Sequence, residues 1–143
     1  MFTDANTALD FILAGKSRFT LTSTVSGNSF TFKIDAPKDR ETGEVDRSIL
    51  FVKVLNGPDN SWNGDWLFLG FIREGGSLAG GKKGHPDAPS FRALDWTLNQ
   101  LAAGNLPESL EIRHEGQCGR CGRALTVPAS IESGFGPHCA TQL

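Results

Sequence analysis

No stretch of this chain is apolar over the ~18 residues that a membrane-spanning helix requires, so a helical membrane protein is excluded. The opening MFTDANTALDFILAGK carries Asp4 early and lacks the basic start of a signal peptide, and a cytoplasmic location is expected. Surplus positive charge is also missing: 14 Lys and Arg stand against 16 Asp and Glu, a net charge of -2. Proteins that grip duplex nucleic acid through its phosphates usually carry a basic surplus or a dense basic face, so composition weighs against that mode. Cysteine is scarce, with three residues, all between positions 118 and 139. An odd count argues against a disulfide framework, and close spacing argues for metal instead. The sequence shows no internal repeat, Ser-His-Asp arrangement, phosphate loop or paired-carboxylate motif.

What is present suits one domain, or one domain with a small appendage. The chain has 143 residues, 38% hydrophobic, with 10 Phe and 3 Trp, enough for a modest core. Charged residues make up 21%, which does not suggest disorder. Residues 4–14 read as a short helix with Asp4 as N-cap and Gly15 as its stop. RFTLTSTV and then Phe30, Phe32 and Ile34 alternate with period two, as in a half-buried hairpin about Ser26-Gly27-Asn28. ILFVKVL (49–55) and WLFLGFI (66–72) are more continuously apolar, which predicts central strands. Gly57-Pro58-Asp59-Asn60 signals a turn between them. The Gly-rich segment from Arg73 to Pro86 is expected to be mobile. Pro89 opens a second helix, with Phe91, Leu94, Leu98 and Leu101 at helical spacing and Gly104 ending it. Residues 106–116 offer a last short strand. The expected class is α+β: an antiparallel sheet with one or two helices on one face and a C-terminal zinc knuckle. The boundary is drawn between a sheet domain, 1–112, and a metal module, 113–143.

The chemistry concentrates in HEGQCGRCGRALTVPASIESGFGPHCA. Cys118 and Cys121 have the spacing at which two thiolates close on one ion, with Gly119 and Gly122 giving backbone freedom. A structural zinc site wants four ligands, and Cys139 is the third. His114 and His138 compete for the fourth place. His138 adjoins Cys139, and neighbouring residues rarely aim at one ion, so His114 is favoured. A redox pair or chance match is the plainer reading of a lone CxxC, but a third Cys and a placed His are hard to obtain by accident. Rubredoxin-like iron would want four thiolates. Pro128 and Gly134 bracket a short helix, VPASIES, and the whole resembles an incomplete zinc ribbon or treble clef.

These residues resemble an uncharacterised zinc-knuckle domain of bacteriophage and mobile-element proteins, whose pattern runs CGRCGR-L-T-P-SI-G-GP-C after His-Glu-Gly. The matching positions here include His114, Cys118, Cys121, Leu125, Pro128, Ile131, Gly134, Gly136, Pro137 and Cys139. FILAGKSRFTLTS, FVKVLNGPDN and LFLGFI upstream are similar to hypothetical phage proteins carrying that tail. The resemblance implies phage or prophage origin and zinc binding, and supplies no shared activity.

Three classes of function compete. In the first, a zinc-stabilised module binds nucleic acid or its processing machinery. Arg113, Arg120 and Arg123 flank the metal, Lys82, Lys83 and His85 sit in the Gly-rich loop, and Phe30, Phe32, Trp62 and Trp66 offer aromatic faces. The core is the plainer place for most of these aromatics, and arginines near thiolates often only balance charge. In the second, a protein-binding effector inhibits a host defence complex or host enzyme, in the manner of an anti-CRISPR. In the third, a zinc hydrolase would need an open coordination position and a carboxylate. Glu115 adjoins His114, but HEGQCGRC does not match the H-x-E…PCxxC of deaminases, and four ligands leave no place for water. The expectation is a non-enzymatic zinc-binding accessory protein, with nucleic acid slightly ahead of a protein target.

Overall fold

A computed structural model describes residues 1–55, 66–125 and 133–136. The expected turn at 57–60, Trp62, most of VPASIES, His138 and Cys139 lie outside the described residues.

Asp4 caps helix α1 (Ala5–Ile12) by accepting the Thr7 N–H at 2.9 Å. That bond, followed by the one from the Thr7 hydroxyl, holds its carboxyl below the usual range. Period-two alternation then produces β1 (Lys16–Ser23) and β2 (Ser29–Asp35), followed by β3 (Ile49–Leu55) and β4 (Trp66–Arg73). A two-residue β5 (Leu78–Ala79) follows, then α2 (Pro89–Ala102) and β6 (Leu110–His114). The strands form one antiparallel sheet in the order β5-β4-β3-β2-β1-β6, so the last strand returns beside the first. The α+β class expected from the sequence is the observed one.

One face of the sheet is the core. Phe19 and Leu21, Phe32 and Ile34, Val52 and Val54, Leu69 and Ile72, and Ile112 are buried from five strands. Both helices join the same cluster, through Ala8, Phe11 and Ile12 of α1 and Leu94, Leu98 and Leu101 of α2. Each such large side chain contributes about 1.5–3 kcal/mol by leaving water. Buried hydroxyls are satisfied: Ser17 donates to the Ile12 carbonyl at 3.0 Å and Thr97 to that of Ala93 at 2.8 Å.

The opposite face carries no helix among the described residues. Cross-strand partners share a face, so the register puts Lys16, Arg18 and Thr20 of β1 together with Thr31, Lys33 and Asp35 of β2. Phe51, Lys53 and Leu55 of β3 follow, paired with Phe71, Phe68 and Trp66 of β4. Glu111 and Arg113 of β6 complete it, opposite Thr22 and Thr20.

Two expectations need correction. Continuous apolarity predicted that β3 and β4 are both central, but β4 has only the two-residue β5 outside it. Its apolar run arises because the open face of β3 and β4 is itself aromatic. The Gly-rich segment, expected to be mobile, is pinned to β4. His85 donates its N–H to the Leu69 carbonyl at 2.9 Å, and its Nδ1 lies 3.0 Å from the Phe68 carbonyl oxygen. Gly84 packs so closely that an added Cβ would collide with the carbonyl oxygens of Gly80 and Leu69. Glycine here permits close approach rather than freedom.

Candidate functional site

The chain leaves β6 at His114 and turns through Gly116, whose φ of 83° suits glycine. A tight loop follows, with Gln117 bridged to Ala124. Cys118 donates its N–H to the Arg123 carbonyl at 2.8 Å, and Gly122 donates to the Cys118 carbonyl at 2.8 Å. This local closure brings Cys118 and Cys121 together, with Cys118 fully buried and Cys121 exposed. Burial pushes the Cys118 thiol up. The N–H groups of Gly136, Cys121 and Arg120, with the Cys121 thiol, outweigh that and bring its pKa down to about 7. A sulfur surrounded by backbone donors is prepared to carry negative charge, the form that ligates metal.

The described part of the tail is built into the sheet's core. Gly119 donates to the Gly134 carbonyl at 2.8 Å and accepts from the Lys16 N–H at 2.9 Å, which ties the Cys118–Cys121 loop to the start of β1. Phe135 is buried with its ring centroid 6.0 Å from that of Phe11. A Cβ on either Gly119 or Gly134 would lie 2.5 Å from the Phe11 ring, so both glycines are required by the fit against α1. Cys118 and Phe135 belong to the same hydrophobic cluster as Phe19 and Leu94.

His114 lies between aromatic rings, its centroid 5.6 Å from both Phe2 and Phe11. Its Nδ1 accepts the Gly116 N–H at 2.9 Å. With Nδ1 accepting, a neutral imidazole carries its proton on Nε2, so metal ligation by this ring requires the Gly116 bond to be released. Among the described residues no three His, Cys, Asp or Glu side chains form a group that could hold a metal ion. Positions 138 and 139 are outside that set.

The basic residues singled out from the sequence are dispersed. Lys82 and Lys83 are exposed just beyond β5. Arg113 is on β6, five strand steps or roughly 24 Å away at ordinary strand spacing. Arg113 lies 3.3 Å from Glu111 on the same strand. Arg120 is half-buried and Arg123 exposed, both on the loop that carries Cys118 and Cys121. Of the aromatics, Phe32 is fully buried and Phe30 packs against the core, so neither is available for stacking. Trp66 is on the open face, within 5.9 Å of the Arg18 guanidinium and 5.7 Å of the Lys33 ammonium.

Sequence reasoning missed a groove of about 540 Å³ where the open face meets the Cys118–Cys121 loop, lined by Lys16, Arg18, Lys33, Asp35, Gln117 and Gly122. The signal was present in the polar positions of KSRFTLTS and SFTFKID, several of which are basic.

Residues 108–143 match a family of unknown function (DUF6011), a segment that includes β6, all three cysteines and His114. No curated protein and no solved structure matches the chain. Among the described residues no helix is long and apolar enough to cross a membrane.

Proposed function

We propose that the tail closes on one zinc ion through Cys118, Cys121, Cys139 and a histidine. The protein then acts as a non-enzymatic accessory module that binds nucleic acid or the machinery processing it. The supporting observation is the buried Cys118 sulfur, held near ionisation by three backbone N–H groups. Zinc, when bound, supplies a closed tetrahedral crosslink that keeps the tail folded. Four protein ligands leave no position for an activated water, which is why the reading is non-enzymatic. The phage or mobile-element origin rests on the resemblance of the tail.

His114 can take the fourth place only by releasing the Gly116 hydrogen bond, with Nδ1 itself on the metal or protonated while Nε2 ligates. Nucleic acid is favoured over a protein target because a groove lined by Lys16, Arg18 and Lys33 adjoins the Cys118–Cys121 loop.

Elemental analysis of the purified protein tests the metal. One zinc per chain, lost in Cys121→Ser, is the expected result, and a metal-free wild type purified with zinc present would sink it. Zinc loss in His114→Ala would mean that the Gly116 bond yields to metal. Loss in His138→Ala alone would leave His114 as a packing residue between Phe2 and Phe11. Binding of a labelled oligonucleotide at low salt tests the partner. No affinity for DNA or RNA under those conditions would overturn the nucleic-acid reading.

A further inference from the structure

The open face of the sheet concentrates positive charge in a chain that has none to spare. Six cations project there, Lys16, Arg18, Lys33, Lys53, Arg73 and Arg113, against the carboxylates Asp35 and Glu111. Among the described strand residues the face therefore carries a surplus of four positive charges, while the whole chain is at -2.

Three of these cations are directly opposed across adjacent strands. Arg18 pairs with Lys33, and Lys33 pairs with Lys53. Like charges in cross-strand register repel, and an anionic partner laid across Lys33 and Lys53 would relieve that repulsion. The next residue in the row, on β4, is Phe68. Around it stand Phe51, Phe71 and Trp66, with Phe51 38% exposed and its ring 6.3 Å from that of Phe68. The face is thus cationic over β1 to β3 and aromatic over β3 and β4.

We propose that this open sheet face binds single-stranded nucleic acid, with phosphates along Arg18, Lys33 and Lys53 and unpaired bases against Phe51, Phe68 and Trp66. The proposal rests on the nucleic-acid reading above and moves the contact surface from the knuckle to the sheet. Backbone cations beside aromatic rings suit a strand whose bases are exposed, because stacking accepts any base. A duplex hides its bases, so the aromatic half would have nothing to contact. The groove lined by Lys16, Arg18 and Lys33 continues the cationic row to the knuckle turn at Gln117 and Gly122. The tail therefore sits at one end of the strand's path.

The test is fluorescence anisotropy of zinc-loaded protein with a labelled single-stranded DNA of about 16 nucleotides, alongside the same sequence as a duplex. Lys33→Gln with Lys53→Gln is expected to weaken single-strand binding by at least about tenfold. It should also flatten the slope of log affinity against log salt by about 1.4, two phosphates at ~0.7 each. Phe51→Leu is expected to weaken binding with the slope unchanged. Arg120→Gln with Arg123→Gln should leave affinity within about twofold of wild type. Thermal melts confirm folding, and Lys53→Glu provides a second charge variant at the same row. Wild-type affinity in the sheet variants, with loss in the arginine pair, would overturn this proposal and leave the nucleic-acid reading standing. Equal or tighter duplex binding would also overturn it. No binding by wild type at low salt would remove both.

Discussion

At the Cys118 sulfur, burial opposes ionisation and the surrounding N–H groups favour it, and the donors prevail. The folded pKa of about 7 lies below the ordinary thiol value. The stabilisation this group provides is therefore fully present above the unfolded pKa and is lost as pH falls through the folded one. Metal-free protein is expected to gain stability as pH rises from about 7 to about 9, and Cys118→Ser should abolish that gain. Thiolate absorbance during a pH titration checks it directly, with a step near 7 that disappears in the variant. Lys33 makes a different kind of prediction. It faces Arg18 on one side and Lys53 on the other, and its ammonium lies 5.7 Å from the Trp66 ring. Lys33→Gln therefore loses a like-charge repulsion and a cation–π contact of similar size, and should change stability by less than about 1 kcal/mol while lowering affinity for an anionic strand. Chemical denaturation of the free protein measures the first effect.

Among the elements, α1 decides how the tail is seated. Phe11 is fully buried and its ring contacts those of Phe2, His114 and Phe135. Gly119→Ala, which would press a methyl group into that ring, is expected to cost about 1–3 kcal/mol. Gly134→Ala adds a backbone penalty, since its φ is 81°. A shifted denaturation midpoint with an unchanged slope would verify both. Both helices and the longer strands were legible in the sequence because their signals are local: a capping Asp4, Pro89 at a first turn, and alternating Phe19, Leu21, Phe32 and Ile34. β5 escaped because two residues cannot display a period, and its pairing depends on the close fit of Gly70 and Gly84. The open face escaped for another reason. Its aromatics were read as signs of double-sided burial, and cations separated in sequence meet only through the register of β1, β2 and β3. The Cys-x2-Cys spacing was plain, but the Gly116 bond to His114 depends on a backbone turn that residue identity does not announce.

For the molecule as a whole, the seating of Cys118 and Phe135 in the sheet's core would tie the proposed metal to global stability. A metal module separate from the sheet domain at residue 113 would melt alone. The shared core instead predicts that chelation, or Cys121→Ser, lowers the midpoint of one common unfolding transition. Hydrogen exchange reporting lost protection in β1 as well as the tail would support this, because the Lys16 N–H is held by Gly119. The same connection shapes the sheet's margins. One end strand, β5, has two residues, and at the other end Phe2 donates its N–H to the Ile112 carbonyl of β6 at 2.9 Å. Unpaired strand margins are where chains template onto one another and aggregate. A rigid fusion placed directly before Phe2 would compete with that bond and is the alteration most apt to turn a dispersed protein into strand-to-strand assemblies.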